Sequence, residues 1–152
     1  MTTFRARSPF EATHPDALAM YCSDGRFTES VEELLRELGF PRLDTLTLPG
    51  GPGLVELTSA PSAAIETARQ ALTFLIKGHR ISRVVLIAHE GCGYYKSRFA
   101  YDSPDYSLRR QLADLRAAER WVQREHQGVT ASSYFARVED GHVVFEPVAP
   151  EE

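Results

Sequence analysis

The sequence predicts an α/β protein, a parallel sheet flanked by helices with a C-terminal antiparallel hairpin at one edge. Three observations predict it. Short, uninterrupted apolar runs at residues 17–22 and 84–88 read as strands buried on both faces. Segments of helical periodicity alternate with the strands in the order β-α-β-α-β-α-β-β, which calls for right-handed crossovers over a common sheet. Near the end, Asp140-Gly141 separates two extended stretches, a two-residue hairpin signal.

The elements follow in order. Residues 1–16 carry little pattern beyond Phe4 and Phe10 and are punctuated by Pro9 and Pro15, so they read as an N-terminal arm able to lie on a partner. The run Ala17-Leu18-Ala19-Met20-Tyr21-Cys22 stops at Ser23-Asp24-Gly25, a strand followed by a turn. Thr28 or Ser30 can cap the next helix, in which Val31, Leu34, Leu35 and Leu38 share one face, and Gly39 with Pro41 supplies the stop. Asp44 to Leu48 reads as a second strand. Pro49-Gly50-Gly51-Pro52-Gly53 then predicts irregular chain, a loop that could line a site. Ser62 opens a second helix with Ile65, Ala68, Leu72, Leu75 and Ile76 inward and Gly78 just beyond its end. The β-branched run Val84 to Ala88 delivers His89. Leu108, Leu112, Leu115 and Val122 set a third helix over residues 107–125, with Trp121 covering its apolar side. Tyr134 to Glu139 and His142 to Val148 complete the hairpin, and residues 1–152 read as a single domain.

With 152 residues, 43% hydrophobic and 25% charged, the composition is that of one folded domain. A net charge of −4 offers no general basic surface for nucleic acid. No apolar run approaches the ~18–20 residues that span a bilayer, and the N-terminus lacks the apolar stretch of a secretory signal. The expectation is a soluble cytoplasmic protein without a membrane partner. In that compartment Cys22 and Cys92 favour metal binding or catalysis over a disulfide.

Two motifs carry chemistry, Cys22-Ser23-Asp24-Gly25-Arg26 after the first strand and His89-Glu90-Gly91-Cys92-Gly93 after the third. In parallel strands both emerge at one sheet edge, where ligands gather in α/β proteins. If the chain stays extended past Cys22, then Cys22, Asp24 and Arg26 point to one side. Cys22, His89 and Cys92 make a Cys₂His set, which leaves zinc an exchangeable fourth position of the kind that activates water. A structural zinc would want a fourth Cys or His, and His14, His79, His126 and His142 stand in no comparable spacing. Asp24 and Arg26 read either as functional neighbours of this set or as a plain surface ion pair. Glu90 is as readily an exposed turn carboxylate as an acid or base.

Cys-x-Asp-x-Arg after one strand and His-x-x-Cys-Gly after another resemble the signature of β-class carbonic anhydrases. The resemblance runs from Met20 to Tyr95 and returns from Tyr134 to Phe145. It implies zinc held by Cys22, His89 and Cys92, an Asp24–Arg26 catalytic dyad, a homodimer or a multiple of it, and hydration of carbon dioxide to bicarbonate. Relatives on this scaffold hydrolyse carbonyl sulfide or carbon disulfide instead. Thr47-Leu48-Pro49-Gly50-Gly51 replaces the Arg-Asn-Ala-Gly stretch common in the family, which leaves a catalytically inactive zinc-binding module as the non-enzymatic alternative. A minor alternative is a cysteine phosphatase, from the Cys-x5-Arg spacing of Cys92 and Arg98. Gly91 stands there in place of the expected histidine, and Cys22 would have no role.

Overall fold

The computed structural model describes residues 2–56 and 60–149. Five strands form one sheet in the order β2-β1-β3-β4-β5. They are β1 (Ala17–Cys22), β2 (Asp44–Leu48), β3 (Arg83–His89), β4 (Thr130–Glu139) and β5 (His142–Pro147). The first four are parallel, and β5 runs antiparallel to β4. The helices are α1 (Thr28–Glu37), α2 (Ser62–Gly78), α3 (Gly93–Arg98) and α4 (Pro104–Glu125). No helix among the described residues is long and apolar enough to cross a membrane. Residues 2–16 form neither helix nor strand, and Arg42 ties them to the body through Glu11 at 2.7 Å and the Thr13 carbonyl at 2.6 Å.

Alternation along the strands divides the core in two. Leu18, Met20, Val84, Leu86 and Phe135 face Ala68 and Leu72 of α2 and Leu115 and Val122 of α4. Ala19, Tyr21, Val85 and Ile87 face Phe27 and, from α1, Val31 and Leu35. β1 and β3 are buried along almost their whole length because both of their faces are covered. Tyr21 pairs with Ile87, so β3 outruns β1 and carries His89 beyond the level of Cys22.

Several boundaries differ from the sequence reading. Thr28 is the first residue of α1, whose cap is Phe27 without a side-chain hydrogen bond, so neither Thr28 nor Ser30 caps it. The chain is not extended through Arg26. Asp24 accepts the backbone N–H of Arg26 at 3.1 Å and its carbonyl accepts that of Phe27 at 3.1 Å, a turn that aims the chain into α1. The Pro/Gly stretch is not wholly irregular, since Gly51–Val55 winds into a 3₁₀ turn. Gly78 ends α2 from within, and His79 is the cap. α4 begins at Pro104 instead of Ser107 because Ser103 caps it, accepting the Tyr106 N–H at 3.2 Å ahead of a proline suited to the first helical position. β4 begins at Thr130, where small and polar residues hide a strand that pairs Thr130–Ser133 with Arg83–Leu86. The short helix α3 was not distinguished by any periodicity.

Candidate metal centre at the strand ends

Cys22 closes β1, His89 closes β3, and Cys92 stands at the cap of α3. By strand parity Cys22 continues the row of Leu18 and Met20 while His89 continues that of Val85 and Ile87, so the two leave opposite faces of the sheet. They meet because both stand at the carboxyl edge, where the sheet no longer separates its faces. The donor atoms of Cys22, His89 and Cys92 all lie within 4.8 Å of one another, and all three residues are buried. Among the described residues no other such group of three converges.

The donor set fits zinc on two observations. The sulfurs of Cys22 and Cys92 are 3.9 Å apart, against about 3.8 Å for two thiolates on a tetrahedral zinc with bonds near 2.3 Å. His89 Nδ1 lies 2.7 Å from the Glu90 carbonyl and donates to it, which in the neutral ring leaves the Nε2 lone pair available to a metal. That Nε2 is buried beside the two sulfurs without a hydrogen-bond partner, a costly state for a polar atom removed from water. The Phe27 ring lies against the imidazole at 4.3 Å between centroids.

The two thiols are electrostatically linked. Cys22 is lowered, chiefly by its hydrogen bond with Cys92, with His89 and the Gly50 and Asp24 N–H groups adding to it against burial. Cys92 is pushed up by the same bond and by burial, opposed by the N–H groups of Tyr95 and Tyr94. The pair therefore holds one negative charge readily and a second only when a cation compensates it.

Beside the cluster, Arg26 grips Asp24 with Nε at 3.0 Å from Oδ1 and Nη2 at 2.6 Å from Oδ2. This lowers Asp24 to about 2, the guanidinium hydrogen bonds being the main cause. The glycine loop lines the same edge. Gly51 has φ +55, and a Cβ there would stand 2.8 Å from the Cys22 nitrogen, so the close approach requires glycine. On the other side, Cys92 forms part of the wall of a cavity of about 430 Å³ between α3 and α4, with Tyr95, Phe99 and Leu108 supplying apolar surface.

The sequence reading singled out the five residues that the fold gathers here, and the other histidines lie elsewhere. His79 pairs with Asp44 at 2.5 Å and stacks on His14 at the far end of the sheet. His126 lies against Trp121, and His142 closes on Asp140. The Glu90 carboxylate accepts the Val138 N–H, fastening β3 to β4. Arg98 ends α3 and lies over the Tyr94 ring. Tyr95, Gln111 and Asp114, buried next to the cluster, were missed. The signal for the latter two was a polar residue on the apolar side of α4.

Fold and site thus define an α/β protein with a buried Cys₂His cluster at the carboxyl edge of a parallel sheet. The profile of the family described as "Putative carbonic anhydrase" matches residues 12–144, and the chain belongs to this β-carbonic anhydrase-like family. A search of curated protein sequences finds no match. Among solved structures, a β-carbonic anhydrase of Aspergillus fumigatus is similar with TM-score 0.55 at 15% identity, covering 91% of this chain and 78% of its own. The carbonic anhydrase of Glaciozyma antarctica gives 0.56 at 13% identity, with 91% and 85% covered. The tetrameric β-carbonic anhydrases of Sordaria macrospora give 0.55 at 14%, with 88% and 81% covered. At these identities the likeness is one of fold.

Proposed function

We propose that this chain is a zinc enzyme hydrating carbon dioxide reversibly to bicarbonate, with Cys22, His89 and Cys92 as the metal ligands and Asp24 and Arg26 as the catalytic dyad. The observation that carries the reading is His89 Nε2, buried and unpartnered beside two thiols at zinc spacing. Zinc bound there would supply Lewis acidity to activate water at neutral pH. The remaining work belongs to the chain. Arg26 holds the Asp24 carboxylate ionised and fixed in orientation. So held, Asp24 is a hydrogen-bond acceptor that orients the attacking water. The Glu90 carbonyl keeps the proton on His89 Nδ1, and Phe27 shields the ring from water. The apolar wall beside Cys92 suits an apolar gas as substrate.

The rest of the proposal concerns assembly. Residues 1–152 act as one domain, forming a homodimer or a multiple of it in the cytoplasm, with Phe4 and Phe10 of the arm available to a neighbouring copy. The tetrameric state of the Sordaria macrospora relatives supports an oligomer.

The test is elemental analysis of protein purified without added metal, coupled to a carbon dioxide hydration assay on the same sample. One zinc per chain with hydration is expected. Carbonyl sulfide and carbon disulfide are assayed in parallel, and turnover of either without hydration would replace the substrate while keeping the site. Stoichiometric zinc without turnover of any of the three would make the chain a binding module, and metal-free hydrolysis of a phosphate ester would select the phosphatase.

A further inference from the structure

The buried face of α4 carries three polar side chains, Glu119, which meets Ser133 of β4, and Gln111 and Asp114, which are 5% and 3% exposed. Burying an amide and a carboxylate is costly unless both are bonded. Gln111 and Asp114 are each bonded to a segment that bears the cluster. Gln111 Nε2 donates to the His89 carbonyl at 2.9 Å. The next carbonyl along, that of Glu90, takes the Nδ1 hydrogen of His89, so the amide fixes the peptide beside the group that sets the tautomer. Asp114 Oδ2 accepts the Tyr95 hydroxyl at 2.9 Å, with Arg110 Nε 3.2 Å from Oδ1.

Tyr95 follows Cys92 by three residues, one turn along the short helix that Cys92 caps. Its hydroxyl is lodged against Gly53, where an added Cβ would lie only 1.9 Å away. Gly53 belongs to the 3₁₀ turn Gly51–Val55, whose first residue lies so close to Cys22 that an added Cβ would stand 2.8 Å from the Cys22 nitrogen. One face of one helix therefore bears on the supports of all three donor residues.

We infer that Gln111 and Asp114 are positioning residues for a metal at this cluster, setting the spacing of its donor atoms through the His89–Glu90 peptide and through Tyr95. The inference rests on the zinc reading of the site. Contacts of this outer kind typically change metal affinity by about 10–100-fold.

The experiment measures zinc affinity of the full chain by competition with a chromophoric chelator, together with the absorption spectrum of the cobalt(II)-loaded protein. Gln111→Met, Tyr95→Phe and Asp114→Ala are each expected to weaken zinc by about 10–100-fold and to shift the cobalt bands. The double variant Tyr95→Phe/Asp114→Ala should be no weaker than Asp114→Ala, because the two changes remove one bond. Asp114→Asn, which still offers an oxygen to the Tyr95 hydroxyl, should bind close to the wild-type affinity. A purely structural role would lower the urea midpoint and leave the cobalt spectrum unmoved. If Asp114→Ala does not fold, Gln111→Met and Tyr95→Phe decide. Wild-type affinity and spectrum in both would overturn the inference while zinc binding stands. A wild-type protein that binds no zinc would overturn the reading of the site, and the inference with it.

Discussion

Arg26 bonds Asp24 through its Nε, its Nη2 and its own backbone N–H. The guanidinium is mostly exposed while the carboxylate is 18% exposed, so the pair has little worth as a stabilising ion pair and its value lies in orientation. Arg26→Ala is expected to keep zinc and to lower carbon dioxide hydration by ~10²-fold or more, and Asp24→Asn to do the same, as measured at matched metal occupancy. Full activity in both variants would leave the pair without a role. The motif spelling made these residues legible, but not the turn that joins them. Extended chain was the simplest reading of Cys22 to Arg26, and the Asp24 carboxylate overrides it by accepting a backbone N–H two residues on.

At the scale of elements, the glycine loop and α4 are the supports of the site. Gly51→Ala would drive a Cβ to 2.8 Å from backbone nitrogen at a positive φ, so a loss of about 1–3 kcal/mol is expected in urea denaturation, with weaker metal retention. Along α4, burial raises Asp114 to about 6 from its ordinary 3.8. Stability linked to this raised pKa is complete below about pH 4 and is lost as the pH climbs through 6. Asp114→Asn has no such titration, so its stability relative to wild type should increase between pH 4.5 and 7. Parallel urea midpoints would show it, and a difference that stays constant or runs the other way would contradict the burial argument. In β3, Leu86 is fully buried, and Leu86→Ala should cost about 2–5 kcal/mol by the same measurement. The strand was legible from its β-branched run. The polar anchors of α4 were not, because a single glutamine or aspartate on a helix reads as surface until a buried partner is seen.

For the molecule as a whole, sedimentation at micromolar concentration should find a dimer or a multiple of it, and a fully active monomer would contradict this. Phe4 and Phe10 are 88% and 92% exposed in the single chain; replacing both with serine should weaken assembly if the arm reaches a neighbouring copy. By itself the sequence determined the alternation of strands and helices and the parallel sheet with its terminal hairpin, and it named five residues as a candidate site, of which Cys22, His89 and Cys92 converge in the fold. Each of these rests on short-range pattern, namely apolar period, glycine and proline punctuation, and donor residues a few positions apart. Only the tertiary structure decided that Cys22 and His89 leave opposite faces yet meet past the strand ends, and that the glycine loop and α4 hold them there. Contacts between residues tens of positions apart follow from strand register and helix packing, and no local period encodes either.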